Sequence, residues 1–159
     1  MQDESEDYYV SRSKAKRRSD CPIANALEVL GDRWTLIIVR DLVFRGFREF
    51  GQFLGAGEGI STNILTERLD RLQCVGIIVR SDHPEDGKKY LYRLTEKGVD
   101  LIPLLVELVL WGAKYTPNHA APAQVLREMQ SNREKMIVGL RMSLLGELKK
   151  SCRVTSASP

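Results

Sequence analysis

Residues 59–98 read GISTNILTERLDRLQCVGIIVRSDHPEDGKKYLYRLTEKG. Ser61 is placed to cap a helix, because its hydroxyl can accept an orphan backbone N–H two or three residues on. Leu65, Leu69 and Leu72 then recur at helical spacing and form one apolar stripe. Asn63, Thr66, Glu67, Asp70 and Arg71 fall on the other side. Gly76 is expected to end the helix, since glycine enters the left-handed conformation freely. Residues 77–80 are β-rich and residues 90–94 alternate, so both read as strands. The segment between them, 81–89, contains Pro84 and the turn signal Asp86-Gly87 and reads as a charged loop. Thr95 and Glu96 open a further helix. A helix sized for the DNA major groove, followed by a hairpin with a basic tip, is the plan of a winged helix-turn-helix.

Upstream, Cys21-Pro22 marks a helix start, because proline suits the first helical position and leaves Cys21 as the N-cap. Ile23, Ala24, Leu27 and Leu30 give that helix an apolar face, and Gly31-Asp32 breaks it. Residues 33–44 are apolar nearly all round, with Trp34, Leu36, Ile37, Ile38, Val39 and Leu42, and read as the buried central helix. A short helix is expected over residues 47–54, with Phe47, Phe50 and Phe53 or Leu54 inward. Downstream, residues 96–115 read as one long helix with Pro103 near its start or at a kink. Thr116 to Pro122 reads as a linker. A last amphipathic helix is expected from Ala123 to about Lys150.

The domain reading is therefore a disordered arm over 1–19, a winged-helix domain over 20–115, a linker and C-terminal helix over 116–150, and a disordered tail over 151–159. The fold class is mainly α with a small β-hairpin wing, and the long terminal helices serve dimerisation. Residues 96–115 are too apolar for a lone surface helix, and a partner chain would cover them.

Composition narrows the function. The 159 residues carry 24 bases and 21 acids, a net charge of +3. Residues 21–115 hold 12 bases and 13 acids, a net of −1, so a few placed bases would have to attract nucleic acid. Residues 12–18 cluster five bases, which could follow phosphates as an arm or simply solvate a tail. No window has the length and hydropathy of a membrane span, and the reading is a cytoplasmic protein with no membrane partner. Three cysteines (Cys21, Cys74 and Cys152) have neither disulfide nor metal spacing, and the two histidines lack a ligand partner nearby. No metal site and no cofactor are expected. Without a phosphate loop, a clustered His or carboxylate signature or a Ser-His set, no enzyme is expected either.

With the helices placed, the chain resembles the HxlR-type winged-helix transcriptional regulators of bacteria. The resemblance rests on Cys21-Pro22-Ile23, Leu30-Gly31-Asp32-Arg33-Trp34-Thr35-Leu36 and Arg48-Glu49-Phe50. It continues through Gly59-Ile60-Ser61, Leu65-Thr66-Glu67-Arg68-Leu69, Leu72, Gly76, Tyr92-Arg93-Leu94-Thr95 and Gly98, to Trp111-Gly112. It implies a homodimer on double-stranded DNA, paired through the first and long C-terminal helices of the winged domain. It also implies transcription control, read here as repression, that answers reactive small molecules. Relatives of this type often carry a basic residue where this chain has Asn63 and another where it has Asp70, and proline where it has Glu58.

On that plan Thr62, Asn63, Thr66 and Glu67 face base edges, because a recognition helix reads mainly with its N-terminal part. Asparagine suits adenine, threonine the thymine methyl, and glutamate the cytosine amine. Glu67 is equally well a solvated helix position. Ser61 combines capping with nearness to phosphate. Arg48 is expected on phosphate, and Lys88 and Lys89 on phosphate or in the minor groove, against a plain solubilising role. Arg68 is placed to pair with an acid of the fold, and Cys74 reads as core. Cys21 is the candidate sensor of oxidants or electrophiles, because a helix N-terminus favours a thiolate. The competing reading is a small buried residue. Two further alternatives stand. One is a regulator that holds a small-molecule inducer near the dimer and C-terminal helices, where Met129 and Met136 would line a plastic pocket. The other is a winged-helix protein-interaction module without DNA binding.

Overall fold

A computed structural model describes residues 19–155, with side chains to residue 150. The expected arm over 1–19 lies outside the described residues except for its last position, and so does the tail after Thr155. The chain divides into two units, one ending at Arg93 and the other beginning at Leu94.

The first unit starts with α1 (Pro22–Leu30), N-capped by Cys21 with proline in its first turn, as the sequence implies. Gly31 closes it by donating its N–H to the Leu27 carbonyl at 2.8 Å. Asp32 then caps α2 (Arg33–Arg40), its carboxylate accepting from the N–H groups of Trp34 at 2.8 Å and Thr35 at 3.0 Å. The expected helix to residue 44 is α-helical only to Arg40. Asp41–Arg45 widens into a π-helical turn, closed by Gly46 with φ of 66°. The wider turn accommodates a buried acid: Asp41 is 1% exposed and paired with Arg40 and Arg45. Ile38, Val39 and Leu42 make α2 and this turn central to the core.

The next helix, α3 (Phe50–Leu54), is shorter than the expected 47–54. Residues before it are drawn into β pairing, with Tyr92 donating to the Arg48 carbonyl at 2.8 Å and Glu49 bridging Leu91. Tertiary pairing thus overrides a local helical pattern. Phe53 is buried and meets Phe47 and Tyr92 edge-on, with ring centroids 6.2 and 6.1 Å away. After a loop, α4 (Thr62–Cys74) buries Leu65, Leu69 and Leu72 as the stripe predicts. Cys74 is exposed, contrary to its reading as core. It lies two residues beyond Leu72, about 200° round the helix. Gly76, with φ of 71°, turns the chain into the wing.

The wing is a hairpin of β1 (Ile78–His83) and β2 (Asp86–Leu94). Its strands consume most of the expected loop. The reversal falls on Pro84-Glu85, and Asp86-Gly87 belongs to β2. Proline presets φ for the first turn position, and the Glu85 N–H donates to His83 Nδ1 at 3.1 Å.

In the second unit α5 (Glu96–Val99) is one turn, capped by the Thr95 hydroxyl. The long helix α6 (Ile102–Tyr115) follows, with Pro103 in its first turn. Pro103 separates what had read as one helix, because it lacks an N–H and its ring would strike the carbonyl of Val99. The expected single C-terminal helix is also two, α7 (Ala123–Ser131) and α8 (Arg133–Thr155). They part at Asn132, whose side chain donates to Glu128 at 3.0 Å. The backbone leaves the helical region there, with φ of −125° and ψ of 33° at Asn132. α8 runs five residues past the expected boundary at 150. Ile102, Leu105, Val106, Met129 and Leu144 are buried here, and Arg133–Glu107 and Arg141–Asp100 are ion pairs. No helix among the described residues is long and apolar enough to cross a membrane.

Candidate nucleic-acid interface

The helix-turn-helix pair is α3 and α4. Ser61 occupies the N-cap of α4 with extended backbone, and its Oγ accepts from the Ile64 N–H at 3.4 Å. Four backbone N–H groups at a helix start lack partners inside the helix, so this end carries positive potential. Thr62, Asn63, Thr66 and Glu67 are all exposed on it. The Thr66 hydroxyl donates back to the Thr62 carbonyl at 3.0 Å. That bond turns its donor inward. Glu67 lies 3.6 Å from Arg68, whose guanidinium is also 3.2 Å from Asp32. Arg68 therefore belongs to the fold, as its place beside the apolar stripe implies. Arg71 is occupied too, donating to the Glu28 carbonyl.

Asp32 ties α2 to α4. Burial favours its neutral form, but hydrogen bonds from Thr35 and Trp34 and the charge of Arg68 prevail. They hold the carboxyl below its ordinary value.

Arg48 is engaged inward. Its Nη1 donates to the carbonyls of Leu42 at 2.8 Å and Phe47 at 2.7 Å. It thereby satisfies carbonyls at the π turn and its exit, where helical partners are missing. Lys88 and Lys89 are both exposed on β2. Lys89 Nζ lies 3.6 Å from Glu49 and 3.7 Å from Asp86.

Between α3, α4 and the wing lies a groove of about 490 Å³, lined among others by Thr66, Asp70, Arg80, Lys88, Lys89 and Tyr90. The sequence reading brought Thr66, Lys88 and Lys89 to this region but missed Arg80 and Tyr90. The Arg80 guanidinium sits 4.4 Å from the Tyr90 ring centroid, a cation–π pair that holds its charge at the groove. Strand alternation was the available signal. It was hidden while residues 81–89 read as loop, because the pairing of β1 with β2 was then unknown. Tyr92, buried below, has its phenol pushed above the ordinary value by desolvation, with Arg80 pulling the other way.

Cys21 is exposed at the start of α1, and no side chain caps that helix. Its own N–H donates to Ser19 Oγ at 3.0 Å. The buried-residue reading of Cys21 is therefore not what the structure has. Among the described residues no three His, Cys, Asp or Glu side chains cluster as metal ligands.

Residues 29–120 match the HxlR-like helix-turn-helix family. An HTH-type transcriptional regulator of Mycobacterium bovis, itself uncharacterised, is 42% identical over 105 residues, which are 66% of this chain and 65% of that protein. The chain thus spans just under two thirds of that relative's length. Among solved structures, PA1607, named as a transcription factor, superposes with a TM-score of 0.59 at 40% identity, covering 66% of this chain and 73% of its own. The redox regulator HypR in its oxidised form superposes with a TM-score of 0.55 at 29% identity, covering 60% of this chain and 98% of its own. The matched region contains α2, the helix-turn-helix pair, the wing and α6. With this architecture and these relatives, the chain belongs to the HxlR-like helix-turn-helix family.

Proposed function

We propose that the chain is a cytoplasmic transcription regulator that binds double-stranded DNA as a homodimer. The observation that carries the reading is the N-terminal turn of α4. There a capped helix end exposes Thr62, Asn63, Thr66 and Glu67 beside a wing that exposes Lys88 and Lys89. The helix end reads base edges in the major groove, with Asn63 paired to adenine and the Thr62 methyl against thymine. Lys88 and Lys89 hold phosphates and carry no sequence information. Ser61 keeps the helix start near the backbone. Arg48 acts beneath this surface by fixing the π turn.

The test is titration against a duplex selected by the protein from a random library and against a scrambled duplex. Lys88→Ala with Lys89→Ala is expected to weaken both equally and to lower the salt slope by about two. Asn63→Ala is expected to lower the ratio between them. If the wild-type protein selects no sequence, the reading fails.

Apolar side chains left uncovered support the homodimer: Ile23 and Leu27 on α1 in the first unit, and Leu104, Leu108, Trp111 and Tyr115 on α6 in the second. Single exposed apolar residues are ordinary, but grouped ones mark interaction sites. Cys21 precedes the exposed face of α1, so oxidation or alkylation of its thiol would alter a dimer surface and release DNA. The dimer represses until then. Diamide and a quinone should release DNA from the wild type and leave Cys21→Ser bound. Equal responses would remove Cys21 from the mechanism, and a reporter gene activated by the reduced protein would reverse the assigned sign.

A further inference from the structure

The segment between α3 and α4 alternates glycines with anchors. Gly55, Gly57 and Gly59 fall at odd positions, and the latter two have φ of 86° and 77°. Such a segment would hold α4 loosely by itself, since glycine loses the most backbone freedom on ordering. The residue after each glycine is tied down. The Ala56 carbonyl accepts from Arg45 Nη1 at 3.1 Å. Glu58 Oε1 accepts from Arg40 Nη1 at 2.7 Å. Ile60 is buried.

Of these anchors, Glu58 is the one next to α4 that acts through charge. Its partner is oriented in advance. Arg40 Nε and Nη2 both grip Asp41 Oδ1, at 2.9 and 2.7 Å, and Asp41 is buried in the π turn. The guanidinium is thereby fixed with Nη1 directed at the loop. The usual entropic cost of ordering a long side chain for an ion pair is already met within the core. The Arg40 hydrogen bond holds the Glu58 carboxyl below its ordinary value, so the latch is charged at neutral pH.

We propose that Glu58 is a positioning residue for sequence recognition: through Arg40 and the buried Asp41 it fixes the Gly-rich loop and so sets where the N-terminal turn of α4 meets DNA. The inference rests on the DNA-binding reading above. It runs against simple electrostatics, in which an acid beside the DNA face only repels phosphate and its removal strengthens all binding alike.

The test compares wild type, Glu58→Ala and Glu58→Gln on the duplex selected by the wild-type protein and on a scrambled duplex. Glu58→Ala is expected to bind the scrambled duplex as well as the wild type or better. It should lose roughly tenfold in the ratio of selected to scrambled affinity, the size of one good base contact. Glu58→Gln keeps a neutral acceptor for Arg40 and should fall between. Affinity for both duplexes rising in parallel would overturn the proposal.

A second measurement needs no DNA. Amide hydrogen exchange at residues 64–67, the first amides of α4 with hydrogen-bond partners, should quicken in Glu58→Ala, while residues 69–74 of the same helix stay protected. Unchanged exchange at residues 64–67 would overturn the latch whether or not the protein binds DNA. Quickened exchange in a protein that selects no duplex would keep the latch and reject the DNA-binding reading.

Discussion

Glu49 serves two elements at once. Its side chain accepts a hydrogen bond in the capping box of α3, and its Oε2 lies 3.6 Å from Lys89 Nζ. His83 Nε2 stands 4.0 Å from its other oxygen. On the proposed interface this carboxylate competes with phosphate for Lys89. Glu49→Gln keeps an acceptor for the cap and removes the charge. Binding to selected and scrambled duplexes should tighten alike, by about two- to fivefold, the worth of an exposed ion pair. Unchanged or weaker binding in a fluorescence titration would count against a phosphate role for Lys89.

Asp32 gives a pH prediction with a definite sign. Its folded value lies below the ordinary 3.8, so its contribution to stability is full above that pH. The contribution is lost as pH falls through the lower folded value. Asp32→Asn keeps a capping oxygen but loses the charge paired with Arg68, so it should be less stable than wild type at pH 7 by about 0.5–1 kcal/mol. The gap should close as the pH drops below about 4. A gap that stays constant down to pH 2 in thermal melts would show that charge has no part in it.

At the scale of elements, the legible features were those decided locally. Ser61, the leucine stripe and Gly76 specify α4 with no outside help, and Cys21-Pro22 specifies the start of α1. What stayed hidden depended on partners distant in sequence. Phe47 looked helical, but the residues that follow it pair with β2. Residues 81–89 looked like a loop because a strand with one polar face and a charged loop have similar composition. The exposure of Thr62, Asn63, Thr66 and Glu67 follows from the start of α4 alone, whereas Arg48 could be assigned its carbonyls only once the π turn was seen. Arg80 emerged only when the register of β1 against β2 placed it over Tyr90.

Gly31 is another local device with a sharp consequence. A Cβ there would lie 2.3 Å from the Leu27 carbonyl oxygen, a backbone atom that cannot swing aside. Gly31→Ala should cost about 1–3 kcal/mol through overpacking, read as a lower urea midpoint. A midpoint equal to wild type would mean that the end of α1 yields freely.

At the scale of the whole molecule, two facts bear on assembly. The winged region from 21 to 115 has a net charge of −1, so long-range attraction to DNA is weak for one copy. The chain also leaves a band of large apolar groups uncovered on α6, with Trp111 at 67% and Tyr115 at 61% exposure, their rings 5.4 Å apart. Both follow if the binding unit is a pair of chains. Two recognition helices on two half-sites multiply a modest single-site affinity, because the second contact becomes intramolecular. The same apolar band then supplies the contact that pairs the chains. Leu108→Glu with Trp111→Glu places charge on positions that are exposed in the single chain, so each unit should keep its fold. Sedimentation should then show monomers at concentrations where wild type is dimeric. Affinity for a selected duplex with two half-sites should fall by about 10²-fold or more, while affinity for a single half-site stays level. A variant that remains dimeric would move the interface elsewhere. A monomeric variant with full affinity for the two-site duplex would mean that single copies suffice, and the net charge of −1 would then demand another source of attraction.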